Sequence, residues 1–178
     1  MRYSRHRDFD VTLSVHPSAK TPEFMFRAIA NPLVLHPHGW ARLGYNFTIV
    51  PPPPLLSQSK SKSRSRSRSR SRPRKPSILI KLCPQDVMDA LFPQFADIKL
   101  SVCNMATREI YVNEDRWCRK IQDDSQMSLP AYRLYVIQHE LGHALGRDHA
   151  SCGGVGLPAP IMLQQTLGLN SCLPFPFP

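Results

Sequence analysis

Residues His139 to His149 read HELGHALGRDH, an uninterrupted H-E-x-x-H-x-x-G-x-x-H. No other stretch restricts the fold as tightly. The pattern can gather its side chains on one ion only if His139 and His143 share one face of a helix and the chain turns back sharply just beyond them. The preceding residues supply the helix. Ser128 is placed as N-cap, Pro130 fits the first turn, and Leu134, Ile137, Leu141 and Leu145 recur at helical spacing, so the spacing predicts a helix over about 130–145. Gly146 then offers the left-handed backbone that ends a helix and lets His149 return as a third ligand.

Three imidazoles leave the fourth corner of a zinc tetrahedron open, which separates a catalytic site from a closed structural one. Glu140 lies beside the histidine face, poorly placed to join both histidines as a ligand but well placed to accept a proton from an attacking water. His139, His143 and His149 are therefore expected to bind Zn²⁺, with Glu140 as catalytic base. The expected activity is that of a zinc-dependent hydrolase acting on peptide bonds in a peptide or protein substrate.

On His139, Glu140, His143, Gly146 and His149 the chain resembles the metzincin clan of metallopeptidases. That resemblance implies a zincin fold and a methionine turn beneath the metal. Pro160, Ile161 and Met162 follow His149 at a suitable distance, with Met162 as the turn methionine. A narrower likeness covers most of the chain outside 51–76. Tyr135 to Cys152, the phrase PAPIMLQQTLGL, Cys172 with its Pro-Phe tail, Gly39-Trp40, Cys83-Pro84 and Cys103 are similar to a family of small, uncharacterised metzincin-like proteins found mainly in actinobacteria. The likeness brings no substrate. Several metzincins carry a tyrosine two residues after the turn methionine, where it helps hold an oxyanion, whereas Gln164 stands here. That task is left to the zinc, a backbone N–H, Gln164 or Gln165.

The resemblance also implies two cysteine pairs, Cys83 with Cys103 and Cys152 with Cys172, leaving Cys118 over. Reduced, buried thiols are the alternative. Paired cysteines imply an extracytoplasmic or secreted protein. The first residues, MRYSRHRDFD, have no apolar h-region, and no stretch approaches a membrane span, so the two indications conflict.

The formal charge of +10 suggests a polyanion partner until its position is examined. Nine of the 23 basic residues fall in Lys60 to Lys75, which holds no acidic one, leaving 14 basic against 13 acidic elsewhere. The basicity belongs to a Pro-rich and Arg/Ser-rich insert at 51–76, expected to be disordered because nothing after Leu56 is apolar enough to bury. It reads as a solvated loop or as a segment gripping nucleic acid or an acidic surface, with serine phosphorylation able to reverse its charge.

Around the insert, alternation predicts strands at Phe9 to Val15, Tyr45 to Ile49, Ile78 to Leu82, Ile98 to Val102 and Ile110 to Val112. A helix is expected from Thr21 and Pro22 to about Ala30, ended by Asn31-Pro32. The result is one α+β domain spanning 1–178, a monomer, with a twisted, mainly antiparallel or mixed sheet of four to five strands and the active-site helix packed on it. His36 and His38 flank a proline in a loop and lack a third donor, and Trp40 and Trp117 read as core or cleft aromatics. Two functions follow from these residues. One is the zinc peptidase; the other is a catalytically silent, metal-stabilised frame acting through the Arg/Ser insert on a polyanion. Glu140 favours the first, since a binding frame needs no general base.

Overall fold

A computed structural model describes residues 7–52, 75–121 and 123–178. The protein is α+β, with a five-stranded mixed sheet and, among the described residues, four α-helices. The strands are β1 (Asp8–Val15), β2 (Asn46–Val50), β3 (Ser77–Cys83), β4 (Val102–Asn104) and β5 (Glu109–Asn113), arranged β2-β1-β3-β5-β4. β1 runs parallel to β2 and β3, β3 runs parallel to β5, and only β4 is antiparallel to its neighbour. The sheet is thus mixed and mainly parallel rather than mainly antiparallel.

Alternation explains which face is covered. Phe9, Val11 and Leu13 of β1, Ile78, Ile80 and Leu82 of β3, and Ile110 and Val112 of β5 are buried, and together they form one side of the core. Helix α1 (Glu23–Val34) contributes Phe26, Ala30 and Val34, and helix α4 (Leu129–Ala144) contributes Tyr132, Tyr135, Ile137 and Leu141 to the same core. Short helices α2 (Gln85–Leu91) and α3 (Glu114–Arg119) flank β5. Neither was expected from sequence, because seven and six residues are too few to show a helical period.

Three expectations need correction. Asn31-Pro32 does not end α1, which continues to Val34 with Pro32 inside it. The proline's missing N–H falls in the last turn, and burial of Val34 together with the bond from Gln138 Nε2 to Leu33 O (2.6 Å) holds the helix to its end. Ile98 to Ser101 is not strand. Lys99 has φ +50°, and the carbonyls of Ile98 and Lys99 accept from the buried Arg116 guanidinium at 2.6 and 2.7 Å, so they are unavailable to a ladder.

The third concerns cysteines. Cys152 and Cys172 form a disulfide, but Cys83 and Cys103 are free thiols, as is Cys118. Cys83 ends β3 opposite Asn113, whereas Cys103 lies in β4 opposite Ile110. β5 stands between them, separating their backbones by two strand spacings, about 10 Å, where a disulfide needs about 4.4–6.8 Å between Cα atoms.

Trp40 and Trp117 are core residues. Of the Pro-rich and Arg/Ser-rich insert expected at 51–76, residues 53–74 lie outside the described residues. No helix among the described residues is long and apolar enough to cross a membrane.

Candidate metal centre

Helix α4 begins as its sequence dictates. Ser128 is the N-cap, its hydroxyl accepting from Ala131 N–H, and Pro130 sits in the first turn. It ends in a Schellman motif. Gly146, at φ +87°, donates to His143 O at 2.9 Å, and Arg147 N–H donates to Gly142 O at 2.9 Å. This turn also orients a side chain, because Arg147 O lies 2.8 Å from His143 Nδ1. His139 Nδ1 likewise lies 2.8 Å from Ile161 O. A carbonyl can only accept, so both Nδ1 atoms carry the proton and both Nε2 lone pairs are left bare.

Those bare atoms converge. His143 Nε2 is 3.2 Å from His139 Nε2 and 3.1 Å from His149 Nε2, and the three ligand atoms lie within 4.8 Å of one another. Two lone pairs facing each other at this distance repel unless a cation lies between them. Tetrahedral zinc with Zn–N bonds of 2.0–2.1 Å sets its nitrogens about 3.3 Å apart, close to the two short separations. Burial lowers the pKa of all three histidines, that of His139 to about 3, so at neutral pH no proton competes for the lone pairs. The three histidines fit a metal ion, and among the described residues they are the one group of three or more metal-ligating side chains so gathered.

Glu140 occupies the next position on α4, is buried, and lines the same cleft as the histidines. Its Oε2 has no hydrogen-bond partner, and burial raises its pKa from 4.5 to about 8. A cation on the adjacent imidazoles would stabilise its charge and lower that value again.

Beneath the histidines lies the turn foreseen around Met162. Leu163 N–H bonds Pro160 O at 2.9 Å, which closes Pro160 to Leu163 into a tight turn whose Ile161 carbonyl holds His139. Met162 packs against Gly142, where a Cβ would meet Met162 Sδ at 2.3 Å and Trp40 Cζ2 at 2.8 Å. Ala150 N–H donates to Met162 O at 3.0 Å, fastening the chain just past His149 to the same turn. Glycine at 142 is therefore needed for close approach. The sequence hid this need, since a glycine inside a helix reads only as a weak helix former.

Several supporting residues went unread in the sequence. Tyr135 packs on His139 with ring centroids 5.4 Å apart, its hydroxyl donating to Leu163 O and accepting from Gln165 N–H. Gln138 receives Trp40 N–H and donates to Leu33 O, while Trp40 Nε1 donates to Gln138 O. Of the two glutamines considered for oxyanion contact, Gln164 lines the cleft. Gln165 is fully buried, with its amide bonded to the main chain of Phe175 in both directions. His36 and His38 stay apart from the centre, packed around Phe177 of the Pro-Phe tail.

The cleft has a volume of about 550 Å³ and runs between α4 and β4. Cys103, expected in a disulfide, instead faces this cleft, its thiol pKa pushed up by burial and by the nearby Glu140.

The profile of a family described as a protein of unknown function (DUF3152) matches residues 56–175, about two thirds of the chain, so the chain belongs to that family. Neither the curated proteins nor the solved structures yielded a match.

Proposed function

We propose that this DUF3152 protein is a zinc metallopeptidase, in which His139, His143 and His149 hold the ion and Glu140 is the general base. One observation carries the reading: the Nε2 atoms of three histidines converge beside a buried carboxylate oxygen that has no protein partner, at the wall of an open cleft. The Gly146 turn and the Met162 turn beneath the histidines add support from the resemblance to metzincins.

When bound, zinc supplies Lewis acidity toward the substrate carbonyl and makes a coordinated water easier to deprotonate, with a pKa near about 7. The remaining work belongs to the chain. Glu140 Oε2, free of protein partners, takes the proton of the attacking water and returns it to the leaving amine. Gln164, which lines the cleft, is available to donate to the developing oxyanion. β4 is an edge strand paired only with β5 among the described residues, so its free edge offers N–H and C=O groups along which an extended peptide can align. His149 is the exposed member of the triad and leaves the centre open to solvent and substrate.

The alternative, a metal-stabilised binding frame acting through the Arg/Ser insert, gives no reason to keep a buried, unpartnered carboxylate beside the histidines. The Cys152–Cys172 disulfide supports an oxidising, extracytoplasmic setting.

The test is hydrolysis of a mixed peptide library by purified protein with bound zinc quantified. One zinc per chain and cleavage that a chelator abolishes and zinc restores are expected. One zinc per chain with no cleavage of any peptide would overturn the peptidase reading.

A further inference from the structure

The cleft is uneven on the two sides of the histidines. On the α4 side it opens into the larger chamber, walled by Tyr132 and Val136 of the helix, by Leu100 and Val102 of the opposite edge, and by Phe92 and Phe95. Val136 and Tyr132 precede His139 by about one and two helical turns, so this wall continues directly from the metal ligands. No Lys, Arg or Asp lines the chamber among the described residues, and its one carboxylate is Glu140. Adjoining it, sharing His149 and Gln164, lies a smaller depression of about 280 Å³ lined by Ala150, Ser151, Leu163, Leu167, Gly168 and Asn170. The first volume lies within the roughly 300–1,000 Å³ usual for ligand pockets, and the second falls below it.

We infer that the enzyme selects peptides carrying a bulky apolar residue, phenylalanine, leucine or methionine, at one position flanking the scissile bond, and a smaller residue at the other. This rests on the zinc peptidase reading. An aromatic or branched aliphatic side chain leaving water for the chamber gains preference over alanine on the order of tenfold or more. An aspartate there would be desolvated with no opposite charge to meet it, and a lysine would meet only the carboxylate of Glu140, which the reaction needs free, so both are rejected. Leu100 is a specificity residue on this wall. It is half-buried and takes no part in holding the metal or moving the proton.

The experiment uses the zinc-loaded full chain and two readouts. In the first, peptides differing only at the positions flanking the bond (Phe, Leu, Ala, Lys, Asp) are compared by kcat/KM for the native protein and for Leu100→Arg. The second titrates amino-acid hydroxamates bearing benzyl, methyl or aminobutyl side chains, a binding measurement that needs no turnover. Phe and Leu are expected to exceed Ala, Lys and Asp by at least about tenfold at one flanking position. The benzyl hydroxamate is expected to bind tightest, and Leu100→Arg to erase the apolar preference and improve Asp. Cleavage that is indifferent to the flanking residue, or hydroxamates binding in flat or reversed order, would overturn the specificity inference while leaving the peptidase standing. Absence of cleavage together with absence of hydroxamate binding would overturn both.

Discussion

Helix α4 and the segment that follows it each hold part of the same centre, by different means. α4 places His139 and His143 by its own period, and it is anchored in a large core with β1, β3, β5 and α1. The segment from Gly146 to Pro178 has only a short 3₁₀ turn at Gln165–Leu167; Ile161 and Met162 join the large core, while Ala159, Leu163, Leu169 and Cys172 form a satellite. It places His149 and Met162 through backbone bonds, Ala150 to Met162 and Leu163 to Pro160, and through one disulfide. A ligand on a regular element is positioned by local geometry; a ligand on an irregular one depends on long-range fastening. The second half should therefore depend more on the ion.

The largest break in that comparison is the ion itself. Zinc at about 1,000 times its Kd should stabilise the chain by about 4 kcal/mol, with amide-exchange protection rising more over 147–165 than over β1 and β3. His149→Ala should abolish both effects, measured by denaturation and hydrogen exchange with and without zinc.

Next is the staple. Cys152 and Cys172 are 20 residues apart, so Cys172→Ser should cost about 3 kcal/mol and weaken zinc binding, while Cys118→Ser leaves the bound zinc unchanged. Chemical denaturation and zinc titration of both variants check this.

A smaller break lies at the seam between the halves. Gly142→Ala drives a methyl into Met162 and Trp40, and should cost about 1–3 kcal/mol by thermal denaturation. In a Met162→Ala background, which removes the sulfur the methyl would meet, the added cost of Gly142→Ala should shrink.

The smallest effect is electrostatic. In metal-free protein the Glu140 pKa, raised to about 8, means the folded chain holds a proton that the unfolded chain releases above about 4.5. Stability from this group therefore falls as pH rises toward 8. Histidines with lowered pKa values act oppositely below 6.5, so the Glu140 slope is visible between 6.5 and 8. A loss of about 1 kcal/mol across that window is expected without metal. The slope should flatten in Glu140→Gln and on adding zinc.

Much of α4's half was legible from sequence because it is periodic. Alternation located β1, β3 and β5, and Ser128, Pro130 and Gly146 bounded the helix. What escaped is what period cannot encode. Ile98 and Leu100 alternate like a strand, but Arg116, distant in sequence, takes the carbonyls of Ile98 and Lys99. Cys83 and Cys103 looked pairable because cysteine spacing carries no record of strand order, and β5 separates them. Gly142 and Tyr135 are explained only by the turn packed beneath them, twenty or more residues later in the chain.

The role of Glu140 as general base is tested most directly by Glu140→Gln at full zinc occupancy, with peptide hydrolysis and bound zinc measured on the same sample. One zinc per chain and kcat/KM lower by roughly 10²–10⁴, the usual contribution of a positioned general base, are expected. Hydrolysis within a few-fold of the native rate, with zinc fully bound, would contradict that role.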